Sequence, residues 1–383
     1  IIGEAQPAAS SFADGDPRPV QLLCLSAKTE AGLQQFVQDT RRRLASTPDT
    51  SFPDLCYTAN AGRSPFAHRL SICAGDRQAA MDALQARLDG KPGPGLKESV
   101  IRSSQAPKIA FLFAGQGVQH AGMGRDLYET QPVFRNALRA CENILDGRMD
   151  HALTAVLYDP QHQALLERAV YSQPATFAVE YALAKLWESW GIEPAIAMGY
   201  SSGEYTAACI AGAIRLEDGL RLACLTGLME NLTGTGMMAA VQLDEAAVDA
   251  AIAAWAGQVA IAAVNGPTHT VISGPGGAVG EAVERFESKG IKCHRLNISH
   301  GFHSSLVDPL LDDFEREAGN IKFTTPRMGL ISGLTGNLVS RAELSDPAYW
   351  SRQFRKTVRF AAGLQTLRQH DCDALLELSP QPV

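Results

Sequence analysis

The sequence has no apolar run approaching the length of a membrane span and no signal peptide at its start, which argues against a membrane or secreted protein. Charge is modest: 34 Lys and Arg against 41 Asp and Glu leave a net −7, which weighs against nucleic acid as the main partner. The densest basic run, Arg41-Arg42-Arg43, reads as a solvated helix face. The eight cysteines (Cys24, Cys56, Cys73, Cys141, Cys209, Cys224, Cys293 and Cys372) form no C-x-x-C, so neither a zinc site nor a redox pair is suggested. Their usage fits a reducing, cytoplasmic setting. There is no G-x-G-x-x-G or Walker sequence, no internal repeat and, past the first residues, no low-complexity tract. What remains is 383 residues, 45% hydrophobic, enough for two or three structural units and a large core. The first residue is Ile rather than Met, which points to a segment of a longer polypeptide.

Residues 1–18 are rich in Ala, Ser, Pro, Gly and Asp and read as a flexible linker. Val20–Ser26 reads as a strand, Ala27–Leu44 as a helix, Leu70–Cys73 as a short strand and Asp76–Leu88 as a helix. This β-α-β-α unit is expected to close at Gly90-Lys91-Pro92-Gly93-Pro94-Gly95, within a first domain over 19–100. A second unit opens with the continuous apolar strand Ile109–Phe113 and runs through helical patterns to about residue 190. Doubly buried strands alternating with helices imply a parallel α/β sheet. From 236 to 299 the order becomes β-α-β-β-α-β, the split, ferredoxin-like pattern. It reads as a small subdomain inserted into the larger unit, which then occupies 107–235 and 300–383 and takes in the strand Leu375–Leu378.

One stretch bears chemistry. Gly199-Tyr200-Ser201-Ser202-Gly203-Glu204 fits G-x-S-x-G between an apolar run (Ile192, Ala195–Met198) and a helical one (Glu204–Ala211). A serine on a tight strand-to-helix turn exposes its hydroxyl at a helix N-terminus, where backbone N–H groups can stabilise an oxyanion. Ser201 is therefore a candidate for acyl chemistry. A serine nucleophile needs a base. His303, in Ser299-His300-Gly301-Phe302-His303-Ser304, follows the inserted subdomain and can reach back to the elbow; His300 is the rival. Gly115-Gln116-Gly117, directly after a strand, offers close backbone approach and the amide of Gln116 as an oxyanion donor. Taken alone it reads as a tight βα turn.

Together these residues carry a family resemblance. Phe113-Ala114-Gly115-Gln116-Gly117-Val118-Gln119 with Gly122-Met123-Gly124 resembles the opening of the malonyl-transferase-type acyltransferases, and Gly199–Tyr205 resembles their elbow. Val264-Asn265-Gly266-Pro267, His300–Ser304 and Tyr349-Trp350 to Val358-Arg359-Phe360 resemble three further blocks in family order. Residues 19–100 resemble the linker domain that joins a ketosynthase to an acyltransferase in modular polyketide synthases. The resemblance implies an α/β-hydrolase-like large subdomain with an inserted ferredoxin-like subdomain, after a small α+β linker domain. It implies ping-pong transfer from an acyl thioester, on acyl-CoA or another acyl carrier protein with acyl-CoA the expected donor, through acyl-Ser201 to the phosphopantetheine thiol of an acyl carrier protein. His303 would be the base, and Gln116 with the backbone N–H of Ser202 the oxyanion hole. Tyr200, Thr226, Asn265, Gly301 and Phe302 would border the acyl group. No metal or redox cofactor is required, and the partners would be the carrier protein and a ketosynthase in the same polypeptide.

The sequence departs from this family at three places. Tyr200 stands where the family usually has His, and Ser202 where extender-unit enzymes carry a larger side chain. The family also places an arginine about 25 positions beyond the serine, to pair with the free carboxylate of malonyl-type substrates; that position is Thr226. No Arg or Lys occurs from Leu222 to Thr235, and Arg221 matches a different family arginine. The expectation is a non-carboxylated or otherwise unusual acyl group, such as a starter unit, with the Thr226 hydroxyl turned either to the substrate or to its own helix carbonyl. His300-Gly301-Phe302-His303 resembles H-A-F-H, which pulls the other way, toward malonyl. A malonyl-type extender transferase with a relocated cation, an acyl-thioester hydrolase and a catalytically silent scaffold are the alternatives.

Overall fold

The computed structural model describes residues 18–382 apart from 103, 104, 231, 233, 234, 297 and 299. The linker expected over 1–18 thus lies almost wholly outside the described residues. The chain divides into two compact units, Ile1–Ala106 and Pro107–Val383.

The first unit packs helices on an antiparallel sheet of β1 (Gln21–Ala27), β2 (His68–Ala74) and β3 (Leu96–Val100), in that order. Leu23 and Leu25 alternate with more exposed neighbours along β1 and pack with Leu70, Ile72, Val37 and Leu84. The two helices read from sequence are Glu30–Ser46, capped by the Thr29 hydroxyl on the Gly32 N–H, and Arg77–Leu88, capped by Asp76 on the Ala79 N–H. Two elements depart from the expected β-α-β-α order. Helix Phe52–Ala61 begins with Pro53 in its first turn, a position where proline's missing N–H is harmless. β3 follows the Gly- and Pro-rich run that was expected to close the unit. That run is instead a turn, with Gly95 at φ 67°, and it feeds β3 back onto β2.

The second unit is built on a parallel sheet of β4 (Ile109–Phe113), β5 (Ile196–Gly199), β10 (Gly329–Ile331) and β11 (Ala374–Leu378), ordered β10-β5-β4-β11. Phe111 and Phe113 point into the main core, whereas Ala110, Ile196 and Met198 pack with Ile331 and Leu367 on the other face. This two-sided burial is why β4 and β5 read as continuous apolar runs. A second sheet contains β6 (Gly236–Val241), β7 (Ala260–Gly266), β8 (His269–Pro275) and β9 (Cys293–Arg295), ordered β7-β8-β6-β9 and antiparallel. With helices Glu245–Ile252 and Gly276–Ser288 after its first and third strands, it is the ferredoxin-like arrangement inside an α/β-hydrolase-like unit, the fold class expected from the sequence. Val264 N–H and Val358 N–H bond to Val358 and Ala262 carbonyls across the two parts, at 2.9 and 2.8 Å. No helix among the described residues is long and apolar enough to cross a membrane.

Candidate active site

β5 ends at Gly199 and the next helix starts at Gly203, so Ser201 occupies the turn between them. It has φ 52°, left-handed backbone that costs a non-glycine residue about 1–3 kcal/mol. The flanking glycines have no room for a side chain. A Cβ on Gly203 would meet the Phe113 carbonyl oxygen at 2.6 Å, and one on Gly199 would run into the backbone of Glu204. The turn is braced from below by Glu180, which is fully buried on helix Ala169–Ser189. It accepts the Ala114 N–H at 2.8 Å and the Thr206 hydroxyl at 3.0 Å, tying the loop after β4 to the elbow helix. Burial pushes the Glu180 carboxyl well above the usual range.

His303, 4% exposed, sets its Nε2 2.9 Å from Ser201 Oγ. Its Nδ1 lies 2.8 Å from the Lys356 carbonyl oxygen, which can only accept. Nδ1 therefore carries the ring proton, and Nε2 is free to accept from the serine hydroxyl. Burial lowers the imidazole to about 4; the Lys356 hydrogen bond opposes that shift and nearby Arg355 adds to it. The ring is thus a neutral base through the neutral range. Of the two histidines, His303 is the one hydrogen-bonded to Ser201; His300 packs against the Phe302 ring at 6.0 Å, and its own burial lowers its pKa.

The loop after β4 runs directly along the elbow. A Cβ on Gly115 would lie 2.8 Å from the Tyr200 carbonyl oxygen and 3.4 Å from Ser201 Cβ, so only glycine brings the Gln116 backbone this close. Gln116 Oε1 is buried without a protein partner. Ser202 heads the elbow helix with φ −61°. Tyr200 packs edge-on against Phe360 at 5.4 Å; burial raises its hydroxyl, and a hydrogen bond with Asn265 acts against the rise. Asn265 sits where the β7–β8 register slips, a bulge that re-aims a side chain, and its Oδ1 is buried and unpartnered. Phe302 is buried against Phe354, and Gly301 packs its backbone on Gly274.

Thr226 has a side-chain partner that neither sequence reading named. It is 4% exposed on helix Leu216–Glu230, and its Oγ1 pairs with the fully buried Tyr205 hydroxyl at 3.1 Å, not with its own helix carbonyl. Tyr205 stands four residues beyond Ser201 on the elbow helix, so the pair joins the two helices.

Sequence reasoning passed over Gln353, Glu204, Tyr349 and the Lys356 carbonyl. Gln353 Nε2 donates to the Ser201 carbonyl oxygen at 2.7 Å. Glu204, fully buried, accepts from Tyr349 and, at 3.0 Å, from the Gly333 N–H. Its carboxyl is pushed up to about 7 by burial, against the pull of the Tyr349, Gly333 and Gln353 hydrogen bonds. The Tyr349–Phe360 block was a signal for the Gln353 and Tyr349 side chains; a backbone carbonyl has none.

A strained serine on a strand-to-helix turn, bonded to a buried neutral imidazole, defines a serine acyl-transfer enzyme of the α/β class. Comparison with known proteins narrows the class. Residues 110–383 match the acyl transferase domain family and residues 21–84 match the family described as CurL-like, PKS C-terminal. The chain belongs to the acyltransferase domains of modular polyketide synthases. It is 36% identical over 99% of its length to the spectinabilin polyketide synthase system protein NorB of Streptomyces orinoci, but covers 18% of that protein. The chain thus spans less than a fifth of these relatives. Among solved structures it resembles the acyl transferase domain of ZmaA, with TM-score 0.88, 32% identity, and coverage of 95% of this chain and 84% of that one. It also resembles a loading acyltransferase from the avermectin modular polyketide synthase, with TM-score 0.68, 34% identity, and coverage of 72% and 88%.

Proposed function

We propose that Ser201 is the acyl acceptor and His303 its base, and that the acyl group carried is not a dicarboxylic one. In the first half-reaction Ser201 Oγ attacks the thioester carbonyl while His303 Nε2 takes the hydroxyl proton. The C–S bond breaks, His303 returns the proton to the leaving thiol, and an ester remains on Ser201. Attack by a carrier protein's phosphopantetheine thiol, again through His303, completes the transfer. Gln116 and the Ser202 N–H stand where the oxyanion develops. Tyr200, Asn265, Gly301 and Phe302 border the acyl group. The donor is acyl-CoA, and residues 19–100 serve as the linker to a ketosynthase in the same polypeptide.

The observation that carries the substrate reading is the neutral, buried Thr226–Tyr205 pair at the position where the family keeps its arginine. Desolvating a carboxylate without its cation costs roughly 3–5 kcal/mol, on the order of a hundred- to several-thousand-fold against malonyl-type groups. Three arginines are held in ion pairs: Arg221 with Glu317, Arg355 with Asp308 and Arg359 with Glu245. The avermectin relative is a loading acyltransferase, which agrees with a starter-unit role.

A malonyl-type extender transferase is the second reading, favoured by His300-Gly301-Phe302-His303. Incubation with a panel of acyl-CoA thioesters followed by intact-mass measurement separates the two. Acetyl or larger neutral groups should load faster than malonyl; the reverse order sinks the starter-unit reading. Adding carrier protein then shows whether the acyl group appears on the carrier or in solution, which distinguishes transfer from hydrolysis.

A further inference from the structure

We infer that Gln353 is a positioning residue for acyl transfer: its side-chain amide holds the Ser201 backbone carbonyl and keeps the nucleophile in line with His303. The inference rests on the reading of Ser201 as nucleophile and concerns what fixes its geometry.

Left-handed backbone at a serine relaxes unless its surroundings over-determine it. The Ser201 carbonyl accepts two hydrogen bonds, from the Glu204 N–H at 3.1 Å and from Gln353 Nε2 at 2.7 Å. The first belongs to the elbow itself. The second comes from outside it, from a side chain 4% exposed on helix Pro347–Arg355.

That helix also fixes the base. Lys356, its C-terminal cap, supplies the carbonyl that holds His303 Nδ1. Gln353 and Lys356 are three residues apart, so one helical turn touches the nucleophile through a side chain and the base through the backbone. Any slip of the helix would move both contacts together. The helix is pinned by Tyr349, one turn before Gln353 and on the same face. The Tyr349 hydroxyl donates to Glu204 Oε1 and lies 2.7 Å from Ser332 Oγ, while Glu204 Oε2 accepts the Gly333 N–H. The same Gln353 amide group also donates toward Glu204, favouring its ionised form. Helix, elbow and the loop after β10 thus close a ring of hydrogen bonds around the Ser201 carbonyl.

A fluorophosphonate tests this without depending on which acyl group the enzyme prefers. Ser201 Oγ displaces fluoride at phosphorus and His303 takes the proton, so saturation kinetics read the serine's reactivity (kinact) apart from reagent binding (KI). Gln353→Met keeps the bulk and removes the donor. It should lower kinact by about 10- to 100-fold with KI little changed and thermal stability nearly kept. Gln353→Glu keeps the length and donates only when protonated. Beside buried Glu204 its carboxyl should titrate above the ordinary range, so kinact relative to wild type should recover as pH falls from about 8 to about 6. His303, lowered to about 4, stays neutral across that window. Gln353→Met within about twofold of wild type overturns the inference. So does a Gln353→Glu ratio flat with pH, which also decides the matter if Gln353→Met fails to fold. Labelling that survives in Ser201→Ala overturns the nucleophile reading itself, a distinguishable outcome.

Discussion

Around Ser201 the protein buries two carboxylates, Glu180 and Glu204, each satisfied by hydrogen-bond donors. Around Thr226, on the next helix, it buries only two neutral hydroxyls that satisfy each other. The first region commits buried polar groups and backbone strain to geometry. Its carboxyl groups tie the elbow helix to the loops after β4 and β10 and leave one side-chain hydrogen bond at the nucleophile, from Ser201 to His303. The second region, among the described residues, pairs one hydroxyl with another. Under the proposed function, the difference separates what makes the reaction possible from what selects the acyl group, and the two are expected to be disturbed independently.

The comparison breaks most severely at the nucleophile. Ser201→Ala should abolish the acyl adduct seen by intact mass and lower loading by about a thousandfold or more, and His303→Ala should do nearly the same. An adduct that persists in Ser201→Ala would move the nucleophile, with Ser202 the next candidate.

The next effect reads the buried carboxylate. Glu204 rises from an ordinary value of 4.5 to about 7 in the fold. A raised carboxyl contributes stability that is complete below the lower value and is lost as pH climbs through the higher one. Its contribution is roughly 3 kcal/mol over that window. Wild type should therefore lose melting temperature between about pH 5 and pH 8 more steeply than Glu204→Gln; parallel curves would mean the group is not shifted. The acid limb of kcat/KM should likewise fall near the lowered His303 value of about 4, not near the ordinary 6.5.

The selecting region responds more gently. Thr226→Arg should raise the malonyl-to-acetyl loading ratio about 10- to 100-fold, because it restores a cation to a desolvated carboxylate. An unchanged ratio would place the acyl group away from this helix. The smallest effect lies far from both regions. Gly280, inside helix Gly276–Ser288, has no atom within 4 Å of where a Cβ would sit, unlike Gly203 at the elbow. Gly280→Ala should stabilise by about 0.5–1 kcal/mol in denaturant unfolding without altering loading, whereas Gly203→Ala should disrupt the elbow.

Much of the fold was legible because its signals are local. The period of apolar residues marked β4, β5 and the ferredoxin-like elements, and the elbow announced itself by glycines that a sharp turn requires. β3 was hidden behind a Gly- and Pro-rich run that looked like an ending, and only pairing with β2 shows that the chain turns back. Helix Phe52–Ala61 was missed as well. Ser201 and His303 stood out by type and context, but His303 could be preferred over His300 only as a candidate. Gln353, Glu204 and Tyr349 carry no chemistry when read singly.

The sequence alone therefore determined the class of fold and the nucleophile motif, since each depends on residue type and spacing along the chain; the reading of Thr226 as standing in place of an arginine rests on the family resemblance and belongs to the proposal. The tertiary structure decided which histidine lies within hydrogen-bond reach of Ser201, which ring nitrogen faces the Lys356 carbonyl, and that the Thr226 hydroxyl pairs with Tyr205. Those outcomes depend on distances between atoms far apart in sequence. The Lys356 carbonyl that orients His303 exists at every peptide bond, and only folding gives one of them a role.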